Sequence, residues 1–210
     1  SERNWPGLQD GTPLWRSEDG GLTWGDPVYL SGVPGVAPLH PRLHTPVAVR
    51  GNVLQLGSGR LLVSAYTIGD DNTSHVFASD DDGRSWSWLA AIASDANETY
   101  LYETEAGDVV AFVRRHRVAD RLWACRSSDG GLHWSAPEPV CRGYPACAVR
   151  LPSGRVLLAY GFRFAEGPGT RARLLTAECG PLATESGELV LREDGAVHDL
   201  GYPDAAVMPD

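Results

Sequence analysis

Residues 53–63, 101–113 and 148–158 each run apolar, turn at a glycine and run apolar again. Short apolar runs of this kind about a Gly-containing turn predict β-hairpins. The turn glycines Gly59, Gly107 and Gly154 lie 48 and 47 residues apart, so the pattern is periodic. In the middle copy, within residues 97–115, Glu98 precedes the first run and Arg114 closes the second. Because a hairpin returns the chain to its starting end, these two side chains are expected at one edge of the sheet. An acid and a base placed together are a candidate site. The structural alternative is an exposed ion pair, worth under about 1 kcal/mol.

Between the hairpins a second pattern recurs. Residues 17–24, 79–86 and 127–134 share the form S-x-D-x-G-x-(T/S/H)-W, around Asp19, Asp81 and Asp129. Each copy has turn chemistry: a short acceptor side chain, an Asp that can fold onto nearby backbone N–H groups, and a Gly suited to positive φ. These Asp residues are read as structural, with Trp24, Trp86 and Trp134 anchoring the turns to neighbouring strands. Hairpin, strand, Asp-containing turn and strand, repeating every 40–50 residues or so, predict the four-stranded blade of a β-propeller. A β-sandwich, the other all-β candidate, would not demand the same turn in every period.

On this reading residues 47–89, 97–140 and 144–191 are whole blades, the last with a worn turn at 176–180. Residues 1–28 hold the end of a blade and 202–210 the start of another, giving about four blades in one partial propeller domain. The chain is therefore expected to be an incomplete ring with open strand edges, which favour association.

Composition narrows the function classes. The 210 residues carry a net charge of −9, which argues against nucleic-acid partners, although a local basic pocket is compatible with it. Every basic side chain is Arg. No apolar run approaches the roughly 18 residues of a spanning helix, so no membrane segment is expected. No charged-then-apolar leader opens the chain, which leaves secretion and the cytoplasm equally open, and the pattern specifies no oligomeric state. Cys125, Cys141, Cys147 and Cys179 have neither C-x-x-C spacing nor the density of a disulfide scaffold, and buried free thiols are the expectation. The six His residues are scattered, so no metal or other cofactor is expected.

Taken together, these residues resemble the sialidases (neuraminidases) and their bacterial BNR-repeat relatives. The repeated turn is similar to their Asp box, and residues 51–66 look like the blade before their catalytic Glu. Glu98 and Arg114 resemble the family's Glu and second active-site Arg, and residues 199–203 resemble the stretch that carries its catalytic Tyr. The resemblance implies a six-bladed propeller with the site at the mouth opposite the Asp-box turns. It implies an exo-acting α-sialidase that retains anomeric configuration and acts on a sialylated glycan or another acidic sugar. Tyr202 would be the nucleophile, Glu98 would assist it, and Arg114 would bind carboxylate. The third carboxylate-binding Arg is either Arg163, which ends a strand as Arg114 does, or Arg171, just before the next strand, which the family pattern favours. The family's first Arg and acid–base Asp belong to an opening blade missing here, so the isolated stretch is expected to lack turnover. Asp70 and Asp71 fall in a mouth-side loop, without a motif marking either as that acid. His198 and Asp199 form a loop pair expected to be solvated. The alternative is a propeller that binds glycans or protein without cleaving them.

Overall fold

The computed structural model describes residues 12–36, 47–68, 72–118, 120–180, 187–196 and 200–208. Among these every regular element is a strand. The strands are β1 (Pro13–Leu14), β2 (Val28–Tyr29), β3 (Val47–Ala48), β4 (Val53–Gln55), β5 (Leu61–Thr67), β6 (Thr73–Ser79), β7 (Ser87–Ser94) and β8 (Ala96–Glu103). They continue as β9 (Val109–Arg115), β10 (Arg121–Ser127), β11 (Glu138–Arg142), β12 (Ala146–Arg150), β13 (Val156–Phe162), β14 (Gly169–Leu175) and β15 (Leu189–Arg192). All pairings among the described residues are antiparallel, and all but β3 with β5 join neighbours in sequence: β1 with β2, then β3 and β4 with β5 followed by β6 and β7, then β8 to β11, then β12 to β15.

The burial of β9 shows how the sheets stack. Its side chains alternate in direction, yet residues 109–113 are all buried. Val109, Ala111 and Val113 join Leu62, Val76 and Ile92 of the preceding sheet, whereas Val110 and Phe112 join Tyr144, Val156 and Tyr160 of the following one. A sheet covered on both faces by its neighbours is a blade. This is a partial β-propeller: three sheets of four or five strands and the two-stranded β1–β2 sheet stand among the described residues. Each fully buried Val, Leu or Phe contributes roughly 1.5–3 kcal/mol of apolar transfer energy, so the inter-blade layers hold the sheets together. All four cysteines are buried free thiols. Burial pushes Cys125 and Cys147 up to about 11, and Cys141 and Cys179 up to about 12.

The repeated turns are built alike. In the second, Ser79 Oγ donates to Asp81 Oδ1 at 2.8 Å and accepts from Gly83 N at 2.8 Å, while Asp81 accepts from Ser85 N and Oγ at 2.8 and 2.6 Å. Asp19 and Asp129 do the same work, with His133 Nδ1 standing 2.6 Å from Asp129 where the other copies place a hydroxyl. Trp86 and Trp134 pack against core clusters, as expected. Trp24 does not: it is 61% exposed, because only the two-stranded β1–β2 sheet stands beside its turn. Two further expectations change. Arg171 lies inside β14 rather than ahead of it. Residues 202–208, read as the start of a hairpin, form no strand, since no described strand pairs with them. Residues 70–71 and 198–199 fall outside the described residues.

Candidate active site

Glu98 emerges from an irregularity in β8. The β8–β9 register pairs Ala96 with Arg115 and Thr99 with Val113, which leaves Asn97 and Glu98 opposite Arg114 alone. Such a bulge re-aims a side chain. Local bonds hold it: Asn97 Oδ1 accepts from Glu98 N at 2.8 Å, and Thr99 Oγ1 donates to Asn97 O at 2.9 Å. Ser64 Oγ donates to Thr99 O at 2.7 Å, tying the bulge to the preceding blade.

Glu98 is only 8% exposed, so the surface ion-pair reading does not hold for it. A buried carboxylate must be partnered, because the penalty for an unpaired one is several kcal/mol. Each oxygen has a donor. Arg114 Nη1 donates to Oε2 at 2.8 Å, and the Tyr202 hydroxyl donates to Oε1 at 2.8 Å. Burial works against the charge on Arg114, but the bond to Glu98 and its negative charge outweigh that, and the guanidinium is held above its ordinary value. The hairpin thus supplies two of the expected residues, and Tyr202 arrives from 104 positions away in sequence.

Tyr202 is delivered by a close backbone approach. A Cβ on Gly161 would lie 2.2 Å from Gly201 O, and Gly201 itself has φ +82°. Only glycines allow the 201–204 segment to lie against the end of β13. Tyr202 remains 50% exposed, open to a ligand.

Around this pair runs an alternating ladder of guanidiniums and phenol rings. Arg114 lies 4.7 Å from the Tyr144 ring centroid and Arg163 5.5 Å from the same ring. Arg163 is also 4.8 Å from the Tyr202 centroid, and Arg50 is 5.1 Å from it. Of the two arginines left open by sequence, Arg163 therefore meets Tyr202. Arg171 instead stacks 3.5 Å from the Phe162 centroid and pairs with Glu188 at 2.5 Å. No ion pair, hydrogen bond or ring contact joins it to Glu98 or Tyr202 among the described residues.

Sequence reasoning missed Arg50, Tyr66 and Tyr144. Tyr66 sits near the end of β5, and its hydroxyl is pushed up by burial and then by the charges of Glu98 and Tyr202. The usable signal for it was position, since it closes its strand as Arg114 closes β9. Tyr144 and Arg50 carry no such mark. With Arg114 on Glu98 and Arg50 and Arg163 against the Tyr202 ring, the site offers planar donors to an anion.

Comparison with known proteins agrees with this architecture. A family model described as "BNR repeat-like domain" matches residues 1–210. Among solved structures, a protein of unknown function from Dyadobacter fermentans is 38% identical with a TM-score of 0.83. The match covers 92% of this chain and 55% of that one, so the chain spans about half that relative's length. The Hadza microbial sialidase Hz136 is 21% identical with a TM-score of 0.63, covering 86% of this chain and 37% of that one. An α-L-arabinanase of Penicillium chrysogenum, complexed with arabinobiose, is 19% identical with a TM-score of 0.63, covering 81% and 56%. No curated protein matches the chain.

Proposed function

The chain belongs to the BNR repeat-like domain family, with a glycoside hydrolase-like propeller fold, and from that premise we propose that Glu98, Arg114, Arg163 and Tyr202 form an exo-α-sialidase-like, retaining site for a terminal acidic sugar. The observation that carries this reading is the Tyr202 hydroxyl donating to Glu98 Oε1 while Arg114 occupies Oε2. Arg114 and Arg163 bind the sugar carboxylate, planar donors against a planar anion. Tyr202 attacks the anomeric carbon as its proton passes to Glu98, the bond to the leaving oxygen breaks, and water later hydrolyses the tyrosyl intermediate. A phenol suits this substrate because a carboxylate nucleophile would be repelled by the sugar's own charge.

The test is release of a fluorogenic α-sialoside by the full-length protein that carries this chain, beside an α-L-arabinofuranoside. The sialoside is expected to turn over and the arabinofuranoside not. Tyr202→Phe and Glu98→Gln are each expected to lower kcat at least about 100-fold. Turnover left intact in either variant would remove that residue from the mechanism. Sialoside binding without release by the wild type would make the protein a glycan-binding propeller.

A further inference from the structure

The first strand of the second sheet is broken. β3 pairs Ala48 with Tyr66 and β4 pairs Val53 with Val63, so residues 49–52 stand opposite only Ser64 and Ala65. Arg50 leaves the sheet from this break much as Glu98 leaves it from its bulge. The break is anchored to the neighbouring blade: Asn52 Nδ2 donates to Leu101 O and its Oδ1 accepts from Leu101 N, both at 3.0 Å, and Thr99 N donates to Arg50 O at 3.4 Å. The backbone under Arg50 is therefore held, and the side chain crosses to the Tyr202 ring.

Arg50 has little else to do there. Among the described residues the side chain makes one hydrogen bond, to Ala146 O at 3.4 Å, and no ion pair. With Asn52, Tyr100, Tyr202, Pro203 and Asp204 it lines a cavity of about 290 Å³. Asp204 is the other charged wall, and its Oδ1 accepts from Ala205 N rather than from Arg50. Among the described residues no carboxylate lies within pairing distance of this half-buried guanidinium, and at 5.1 Å from the ring centroid its field falls on the phenol.

We propose that Arg50 is a positioning residue for Tyr202, stabilising the negative charge that develops on the phenol as its proton passes to Glu98. This rests on the nucleophilic role given to Tyr202 above. In the step, the Tyr202 O–H bond breaks, Glu98 Oε1 takes the proton, the phenol oxygen bonds to the anomeric carbon, and the leaving oxygen departs with the glycosidic electron pair. Arg50 touches none of the reacting atoms. Preorganised charge of this kind acts on the transition state more than on the bound ground state. Asp204 opposes it.

Two measurements test the proposal. In the full-length protein, Arg50→Met is expected to lower kcat about 10-fold with KM nearly unchanged, and Arg50→Lys to restore most of the loss. Independently of turnover, a phenol-selective acylating reagent at limiting concentration reports the nucleophilicity of Tyr202, read at that residue by peptide mass spectrometry with exposed tyrosines as internal reference. Tyr202 labelling is expected to fall several-fold in Arg50→Met, recover in Arg50→Lys and rise in Asp204→Asn. Labelling unchanged by all three substitutions would overturn the proposal, as would a KM effect with no change in kcat. Absence of sialoside turnover together with the expected labelling pattern would reject the sialidase reading while leaving the Arg50–Tyr202 coupling in place.

Discussion

Glu98 can accept a proton from Tyr202 only while the backbone keeps the two within hydrogen-bond reach, and that reach depends on residues with no side chain. At Gly161 an added Cβ would meet Gly201 O at 2.2 Å and Tyr144 O at 2.7 Å, both backbone atoms that cannot rotate away. Gly161→Ala is expected to destabilise the chain by about 1–3 kcal/mol and to displace Tyr202 from Glu98. Thermal unfolding would show the first effect, and a Tyr202 labelling pattern altered relative to wild type the second. Wild-type stability and labelling in this variant would mean that the 200–204 segment is placed by something else. At this scale the sequence was partly legible. Glu98 and Arg114 could be paired because one hairpin carries both. The family pattern favoured Arg171 over Arg163, because sequence position alone does not show which side chain faces the site. What separates them is that Glu188 and Phe162 engage Arg171, whereas Arg163 reaches Tyr202.

The repeated turns are the element most completely readable from sequence, since every bond in them spans four residues or fewer. Their carboxylates are spent on the turn: Asp81 is lowered to about 2, first by the Ser85 hydroxyl, then by the Ser85 N–H and Ser79. Asp19 is lowered to about 2 in the same way by Thr23 and Ser17. A depressed folded value means that the contribution is fully present above the ordinary carboxylate range and is lost as pH falls toward the folded value. Melting temperature is therefore expected to decline between about pH 4 and pH 2, where these turns take up protons. Asp81→Asn should melt below wild type at neutral pH, with the gap closing through that window. A gap that stays constant down to pH 2 would show that the charge on Asp81 does not contribute.

Across the whole molecule, a chain of net charge −9 gathers Arg50, Arg114 and Arg163 around one mouth. On the proposed reading the bulk field would repel an acidic sugar and the local field would attract it, and salt separates the two. The Debye length shrinks from about 30 Å at 0.01 M to about 8 Å at 0.15 M, which screens the distant acidic surface before it weakens partly buried contacts at the mouth. Affinity for an acidic monosaccharide is expected to hold or rise slightly over that range, and to fall about several-fold on replacing either Arg114 or Arg163 by Met. A steep loss of affinity with salt in the wild type would indicate an exposed, non-specific site. The sequence by itself determined what is local or periodic: all-β blades, their period, the Asp-bearing turns and the Glu98–Arg114 hairpin, because strand alternation and turn chemistry act over a few residues. Only the tertiary structure decided that Arg50 and Arg163 meet at the Tyr202 ring, with Tyr144 against Arg114 and Arg163 beside them. Those residues are spread over three blades, and which strand ends face one another depends on how buried sheet faces stack, a property of the packed molecule that no short segment carries.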